Sequence, residues 1–193
     1  MTPDYFNIVL LGAPGSGKGT QAHLLRQRYH LEHVSTGDLY RKEIASGSAI
    51  GVKAKQLIER GHLCPDEMTL DILYQFCSAF KNAHGFLLDG VPRTLAQAKM
   101  MEGMGYPHVI PVSIAIYIKI EENEIIERLT KRAILLKRTD DTPDVIRQRI
   151  THYENLTKPL IAHYRAQNKL IKVDGMRSIE EVFLDICERL DVY

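Results

Sequence analysis

The stretch "LLGAPGSGKGT", residues 10–20, decides how this chain is read. It follows directly on the apolar run Ile8-Val9-Leu10-Leu11 and places glycines at 12, 15, 17 and 19 around Ser16 and Lys18. Such a segment is too flexible to pack a core and too sharply bounded to be a linker. Gly12 to Lys18 fits a phosphate-binding loop. Its glycines let successive backbone N–H groups converge, the helix that follows adds its positive end, and Lys18 brings a mobile charge to the outer phosphates. Background residue frequencies alone produce the spaced pattern in roughly one chain in twenty. The strand before it and the helix after it carry the reading.

Working outward, the strand-like segments are short, continuous and apolar: Ile8–Leu11, Phe86–Leu88, Ile114–Ile118 and Leu170–Val173. Runs apolar on both faces suit central strands of a parallel sheet covered by helices. One helix is expected from Gly17 to about Arg28, and another opens at Pro65-Asp66-Glu67. A third starts at Thr142-Pro143-Asp144, where Ile146, Ile150, Tyr153, Leu160 and Tyr164 recur at helical steps. Strands alternating with helices imply a doubly wound α/β sheet, with ligands at the carboxyl ends of the strands.

Composition narrows the classes. The 193 residues suffice for one compact domain, 45% are apolar, and 25 Lys plus Arg stand against 24 Asp plus Glu. No global field marks nucleic acid as a partner, so an anion site must be built from local positive charge. Cys64, Cys77 and Cys187 fit neither a metal pattern nor an even disulfide set and read as free, buried thiols. The N-terminus lacks the basic region of a signal peptide, and the apolar run from 109 to 118 is broken by Pro111 and too short to span a bilayer. A cytoplasmic, non-membrane protein is expected.

Three further constellations select among phosphate chemistries. "HVSTGDLYR", 33–41, places Thr36 near a helix start, five residues ahead of Arg41. Alone it reads as an N-cap box. "GFLLDGVPRTLAQA", 85–98, ends an apolar strand in Asp89, turns through Gly90 and delivers Arg93 and Gln97. An acid closing a strand beside the phosphate loop is placed to organise hydrated Mg²⁺. Five arginines, at 128, 132, 138, 147 and 149, complete the set, with Arg128 and Arg132 on one helix face and Arg147 read as solvated surface.

Together "GAPGSGKGTQA", "STGDLYR", "LLDGVPRTLAQ" and "RTDDTPDVIRQR" resemble the four signatures of adenylate kinase, in order and across essentially the whole chain. The resemblance implies the reaction ATP + AMP ⇌ 2 ADP with Mg²⁺. It also implies a P-loop NTPase-type sheet of five parallel strands carrying two mobile pieces. The core would comprise residues 1–34, 65–130 and 142–193, the AMP-binding flap 35–64, and a short lid 131–141. A longer, zinc-clamped lid is absent, so no structural zinc is expected.

Carried over by position, the ATP site falls on Gly15, Ser16, Gly17, Lys18, Gly19, Thr20, Arg128, Arg132 and the backbone near Arg177. The AMP site falls on Thr36, Arg41, His62, Leu63, Cys64, Gly90, Val91, Pro92, Arg93 and Gln97. Arg138 and Arg149 match the pair that grips the AMP phosphate and the group in transit, and Lys18, Arg93 and Arg132 join them as catalytic. Asp89 is assigned to Mg²⁺ through water, and Asp140 and Asp141 to holding arginines or the lid. The partners implied are ATP, AMP and ADP, and the chain is expected to act as a monomer.

Three positions depart from the pattern. Gly19 stands where a P-loop usually has the magnesium-binding hydroxyl, which arrives only at Thr20. Val91 replaces the family's Phe or Tyr. "AILLK", 133–137, puts apolar residues in the lid, to pack on the core when closed or to meet a partner. A UMP/CMP kinase of the same fold usually has Ala at the Thr36 position and Asn at the Thr94 position, so Thr36 with Gln97 favours adenine. A GTPase should carry an N-K-x-D motif, which this sequence lacks.

Overall fold

The computed structural model describes residues 6–81, 83–105, 108, 110–135 and 142–193. Strands β1 (Ile8–Leu11), β2 (Glu32–Ser35), β3 (Phe86–Asp89), β4 (Ile114–Lys119) and β5 (Leu170–Asp174) form one parallel sheet in the order β2-β3-β1-β4-β5. Its helices are α1 (Lys18–Tyr29), α2 (Thr36–Ser46), α3 (Ala49–Ile58), α4 (Asp66–Ser78), α5 (Leu95–Met101), α6 (Glu122–Leu135), α7 (Pro143–His152), α8 (Pro159–Ala166) and α9 (Ile179–Leu190).

Alternation within β1 explains why the strands read as unbroken apolar runs. Ile8 and Leu10 pack on one face with Ala22 and Leu25 of α1 and Val182 and Ile186 of α9. Val9 and Leu11 pack on the other with Leu70 and Leu73 of α4 and Leu160 and Tyr164 of α8. Each such side chain taken from water contributes about 1.5–3 kcal/mol, so both faces of the sheet hold the fold.

The residue pattern finds four of the strands. β2, "EHVS", has a single buried residue, Val34, and pairs only with β3 at the sheet edge. With one apolar side chain it carries no strand period to detect.

The segment from Thr142 to Tyr164 corrects the sequence reading of one continuous helix. Thr142 does cap α7, accepting the Val145 N–H at 3.5 Å. The helix then widens into a π-helical turn at Tyr153–Thr157 before α8 begins at Pro159. Pro159 has no N–H, and its ring would strike the carbonyl one turn back, so an extra residue is accommodated. Lys158 N–H accordingly reaches Tyr153 O at 2.8 Å. The apolar stripe survives the break but is shared out. Ile146 and Tyr153 pack with Ala13, Ile125 and Leu129, whereas Leu160 and Tyr164 belong to the cluster around Val9.

Two excursions leave the sheet. α2 and α3 follow β2, and their Tyr40 and Ala54 pack with Cys64 and with Ile72 of α4 in a small cluster. The lid boundary expected at Lys131 falls inside α6, which continues to Leu135. Ile134 and Leu135 are 75% and 79% exposed, so they do not pack on the core here. Residues 136–141, and with them Arg138, Asp140 and Asp141, lie outside the described residues.

Candidate active site

Register brings the motifs to one end of the sheet. Leu10 of β1 lies opposite Asp89 of β3, and Asp89 lies opposite Ser35 of β2. The phosphate loop, the Asp89-Gly90 turn and the start of α2 therefore leave three neighbouring strands at the same level. This is the crevice at the carboxyl ends where doubly wound sheets bind ligands.

In the loop, Gly17 caps α1 from a left-handed backbone (φ 92°), and no side chain bonds to the first amides of that helix. Lys18 folds back over the loop, its Nζ donating to Gly12 O and Ala13 O at 2.9 Å each. Burial pushes the ammonium down to about 8. Asp89 opposes that shift, while Arg93 and Arg132 add to it. Arg93 is likewise lowered, first by burial and further by Arg149, with Asp89 again opposing. Lys18 thus stands within electrostatic reach of Asp89, Arg93 and Arg132, and Arg93 within reach of Asp89 and Arg149. Asp89 faces the start of α1: its Oδ2 is 3.7 Å from where a Cβ on Gly19 would sit.

On the β2 side, Thr36 is buried, and its hydroxyl donates to Gly90 O at 3.0 Å. The N-cap of α2 is Ser35, which accepts the Asp38 N–H at 3.3 Å. The motif does hold an N-cap, but on Ser35, which frees Thr36 from capping. Arg93 Nε also donates to Gly90 O, at 2.8 Å. Gly90 adopts φ +87°, and a Cβ there would come within 2.7 Å of Thr36 Oγ1 and 2.9 Å of Arg93 Nη2. Arg41 pairs with Asp38 one helical turn back. Cys64 is buried beside Tyr40, whose hydroxyl shares a 2.9 Å hydrogen bond with Thr69. Burial pushes its thiol up, marking it as a packing group.

Gln97 is held in a frame the sequence did not disclose. Its Oε1 accepts the Arg93 N–H at 2.6 Å, and its Nε2 donates to Asp66 Oδ1 at 2.8 Å. Thr94 caps α5 by accepting the Gln97 N–H at 3.0 Å while its hydroxyl donates to Asp66. Asp66 reads in the sequence only as an acid favoured by a helix start. Its second task, orienting Gln97 from 31 residues away, has no local signal.

On the β4–β5 side, a cleft of about 360 Å³ is lined by Gly15, Gly17, Thr20, Arg128, Gly175 and Arg177. Arg128 forms its wall, donating to Glu124 Oε1 at 2.8 Å and to Gly175 O at 3.1 Å. Arg177 pairs with Asp185 at 2.5 Å. Of the residues assigned to ATP by resemblance, Gly15, Ser16, Gly17, Thr20, Arg128 and Arg177 line this cleft, whereas Gly19 and Arg132 do not. Thr36 and Arg93 meet at Gly90 O, and Gln97 is bonded to the Arg93 N–H.

Against known proteins, a family model described as adenylate kinase matches residues 10–169. An adenylate kinase of Bacteroides thetaiotaomicron is 40% identical over 185 residues, covering 96% of this chain and 98% of its own. One from Parabacteroides distasonis is also 40% identical, over 96% of this chain and 97% of its own. One from Xanthomonas campestris pv. campestris (strain B100) is 40% identical over 183 residues, 95% of this chain and 98% of its own. The chain belongs to the adenylate kinase family. Membership of the adenylate kinase family makes it a phosphotransferase and accounts for the parallel five-stranded sheet with a P-loop between β1 and α1. Among the described residues no helix is long and apolar enough to cross a membrane.

Proposed function

We propose that the crevice holds two nucleotides face to face and passes the γ-phosphoryl group of ATP to AMP, giving 2 ADP. ATP takes the cleft beside Gly15–Thr20, with its base against Arg128 and the backbone near Arg177. AMP takes the pocket of Thr36, Arg41, the 62–64 segment, Gly90–Arg93 and Gln97. The flap is then 35–64 and the lid 131–141.

The grouping of Lys18 and Arg93 beside Asp89, with Arg132 acting on Lys18 and Arg149 on Arg93, carries this reading. A phosphoryl group in flight spreads negative charge over its equatorial oxygens, so the protein must align donor and acceptor and neutralise that charge. Lys18 and Arg132 serve the donor phosphates, and Arg93 and Arg149 the acceptor, with Arg138 as a further member of the set. The attacking phosphate oxygen is already anionic and needs no base. Gln97 reads the adenine of AMP by exchanging one of its amide partners for the base edge, with Asp66 keeping it in place.

A single carboxylate beside the loop suits Mg²⁺, which keeps several waters and takes few protein oxygens. Asp89 would hold the ion through water, its Oδ2 facing Gly19, where the usual hydroxyl is missing. An ion held there would supply neutralising charge for the donor phosphates. Both half-sites come from one chain, which supports a monomer.

The test is a coupled assay of ADP formation from ATP with AMP, CMP, UMP or GMP, with and without Mg²⁺. AMP should be the preferred acceptor and activity should need the metal. Faster turnover with CMP or UMP would move the chain to the pyrimidine kinases, and ATP hydrolysis with no acceptor preference would remove the transfer reading.

A further inference from the structure

We propose that His62 and His152 form a two-histidine site for a borderline transition-metal ion, Zn²⁺ or Ni²⁺ in character, that bridges the flap to α7. The pair lies 90 residues apart in sequence, and His62 Nδ1 approaches His152 Nε2 at 3.2 Å. Metal–imidazole bonds of about 2.0–2.1 Å, subtending roughly 100° at the ion, would separate two ligating nitrogens by about 3.2 Å. The rings meet edge to face, centroids 5.4 Å apart and planes at 60°, an arrangement that lets two lone pairs converge. Gln148 supplies a third donor. Its side-chain amide lies 3.0 Å from His152 Nε2, one helical turn away on α7, and can present its oxygen by rotation.

The backbone builds this meeting. Gly61 adopts φ +75° and presses against α7 so closely that a Cβ would lie 3.1 Å from both Gln148 Cβ and Val145 O. His62 is therefore delivered to α7 by a tight approach at the end of the flap. Burial, followed by His62, lowers the proton affinity of His152, which keeps its ring neutral and ready to ligate. Ligation requires His62 as the Nε2–H tautomer and His152 as the Nδ1–H tautomer. Among the described residues no three His, Cys, Asp or Glu side chains converge. The site is thus an open, reversible one rather than a structural clamp. Mg²⁺, which prefers oxygen donors, is not expected to compete.

The consequence rests on the proposed kinase reading: an ion held by both rings ties the root of the AMP flap to the helix that follows the lid and slows the opening each turnover needs. Calorimetric titration of the nucleotide-free chain with Ni²⁺ tests the site, and His152→Asn is the control. One equivalent should bind at pH 7.5, at least tenfold more weakly in the variant. Binding should weaken as the pH falls, because protons compete with the metal for the ring nitrogens. Equal isotherms for the two proteins, or no binding below millimolar Ni²⁺, overturn the site. The tie is read in two ways: Ni²⁺ should raise the melting temperature of the parent chain but not of His152→Asn, and should slow ADP formation severalfold in the parent alone. A His152-dependent isotherm with an unmoved melting temperature overturns the tie. The isotherm and the melting curve decide both points even if AMP proves not to be the acceptor.

Discussion

At the residue scale, Arg93 and Lys18 make opposite claims on the same charge cluster. Arg93 is half-buried, with burial and Arg149 disfavouring its charge, Asp89 partly offsetting them, and its Nε anchored to Gly90 O, a position that an anionic guest relieves further. Arg93→Ala should lower turnover at least a hundredfold, in the range seen when one preorganised donor is removed, while the melting temperature holds or rises. Near-normal kcat in that variant would remove Arg93 from the mechanism. Lys18 makes a claim that pH exposes. Burial holds it at about 8, and a bound phosphate favours the ammonium and lifts that value. Below pH 8 the lysine is charged with or without ligand, and affinity is full. Above it the free protein binds fewer protons than the complex, so affinity falls as pH rises, by up to about tenfold per unit. Titration of a non-hydrolysable ATP analogue between about pH 7.5 and 9.5 should show this decline. In Lys18→Met affinity should be weak and flat across the same range.

At the scale of elements, the turn from β3 into α5 ties the two halves of the site together. Gly90 O receives both Thr36 and Arg93, and the left-handed backbone at Gly90 leaves no room for a Cβ. Gly90→Ala should cost about 1–2 kcal/mol from the backbone alone. It should also push Arg93 off its anchor, so activity ought to fall far more than a melting curve would suggest. A variant with lowered stability but unchanged kcat/KM for AMP would show that this anchor is only structural. The same turn shows what sequence can disclose. Asp89, Gly90, Arg93 and Gln97 lie within nine residues, and their spacing after an apolar strand exposed them as a unit. β1, β3, β4 and β5 were legible because their burial on one or both faces demands apolar runs. β2 was not, because an edge strand with one buried valine has no pattern to show. The break before α8 escaped because Ile146, Tyr153, Leu160 and Tyr164 remain in register with a helix even as the chain changes pitch. Asp66 and His152 were hidden for another reason: their partners are 31 and 90 residues distant, and only the folded chain brings them together.

For the whole molecule, the decisive feature is the grouping of positive side chains at the crevice. Lys18, Arg93, Arg132 and Arg149 gather there while the chain as a whole is nearly neutral, at a formal net charge of +1. Phosphates attract these side chains and favour closure, so each nucleotide alone should draw in only its own side. α2 and α3 are suited to move, because Tyr40, Ala54 and Cys64 pack with Ile72 on one side of α4 rather than directly on the sheet. Hydrogen exchange with a ligand of two adenosines joined by five phosphates should protect the amides of Thr36–Ile58 at least tenfold. Those of β1 and β4 should be unchanged, being already held on both edges. A non-hydrolysable ATP analogue alone should protect the start of α1 and leave α2 and α3 exchanging as before. The effect should weaken in 1 M salt, where the screening length falls to about 3 Å and the attraction between phosphates and these side chains is damped. Protection spread evenly over the sheet and the excursions, or present with the ATP analogue alone, would mean that the flap does not answer to the second nucleotide. The charge cluster would then be a binding device without a closing one.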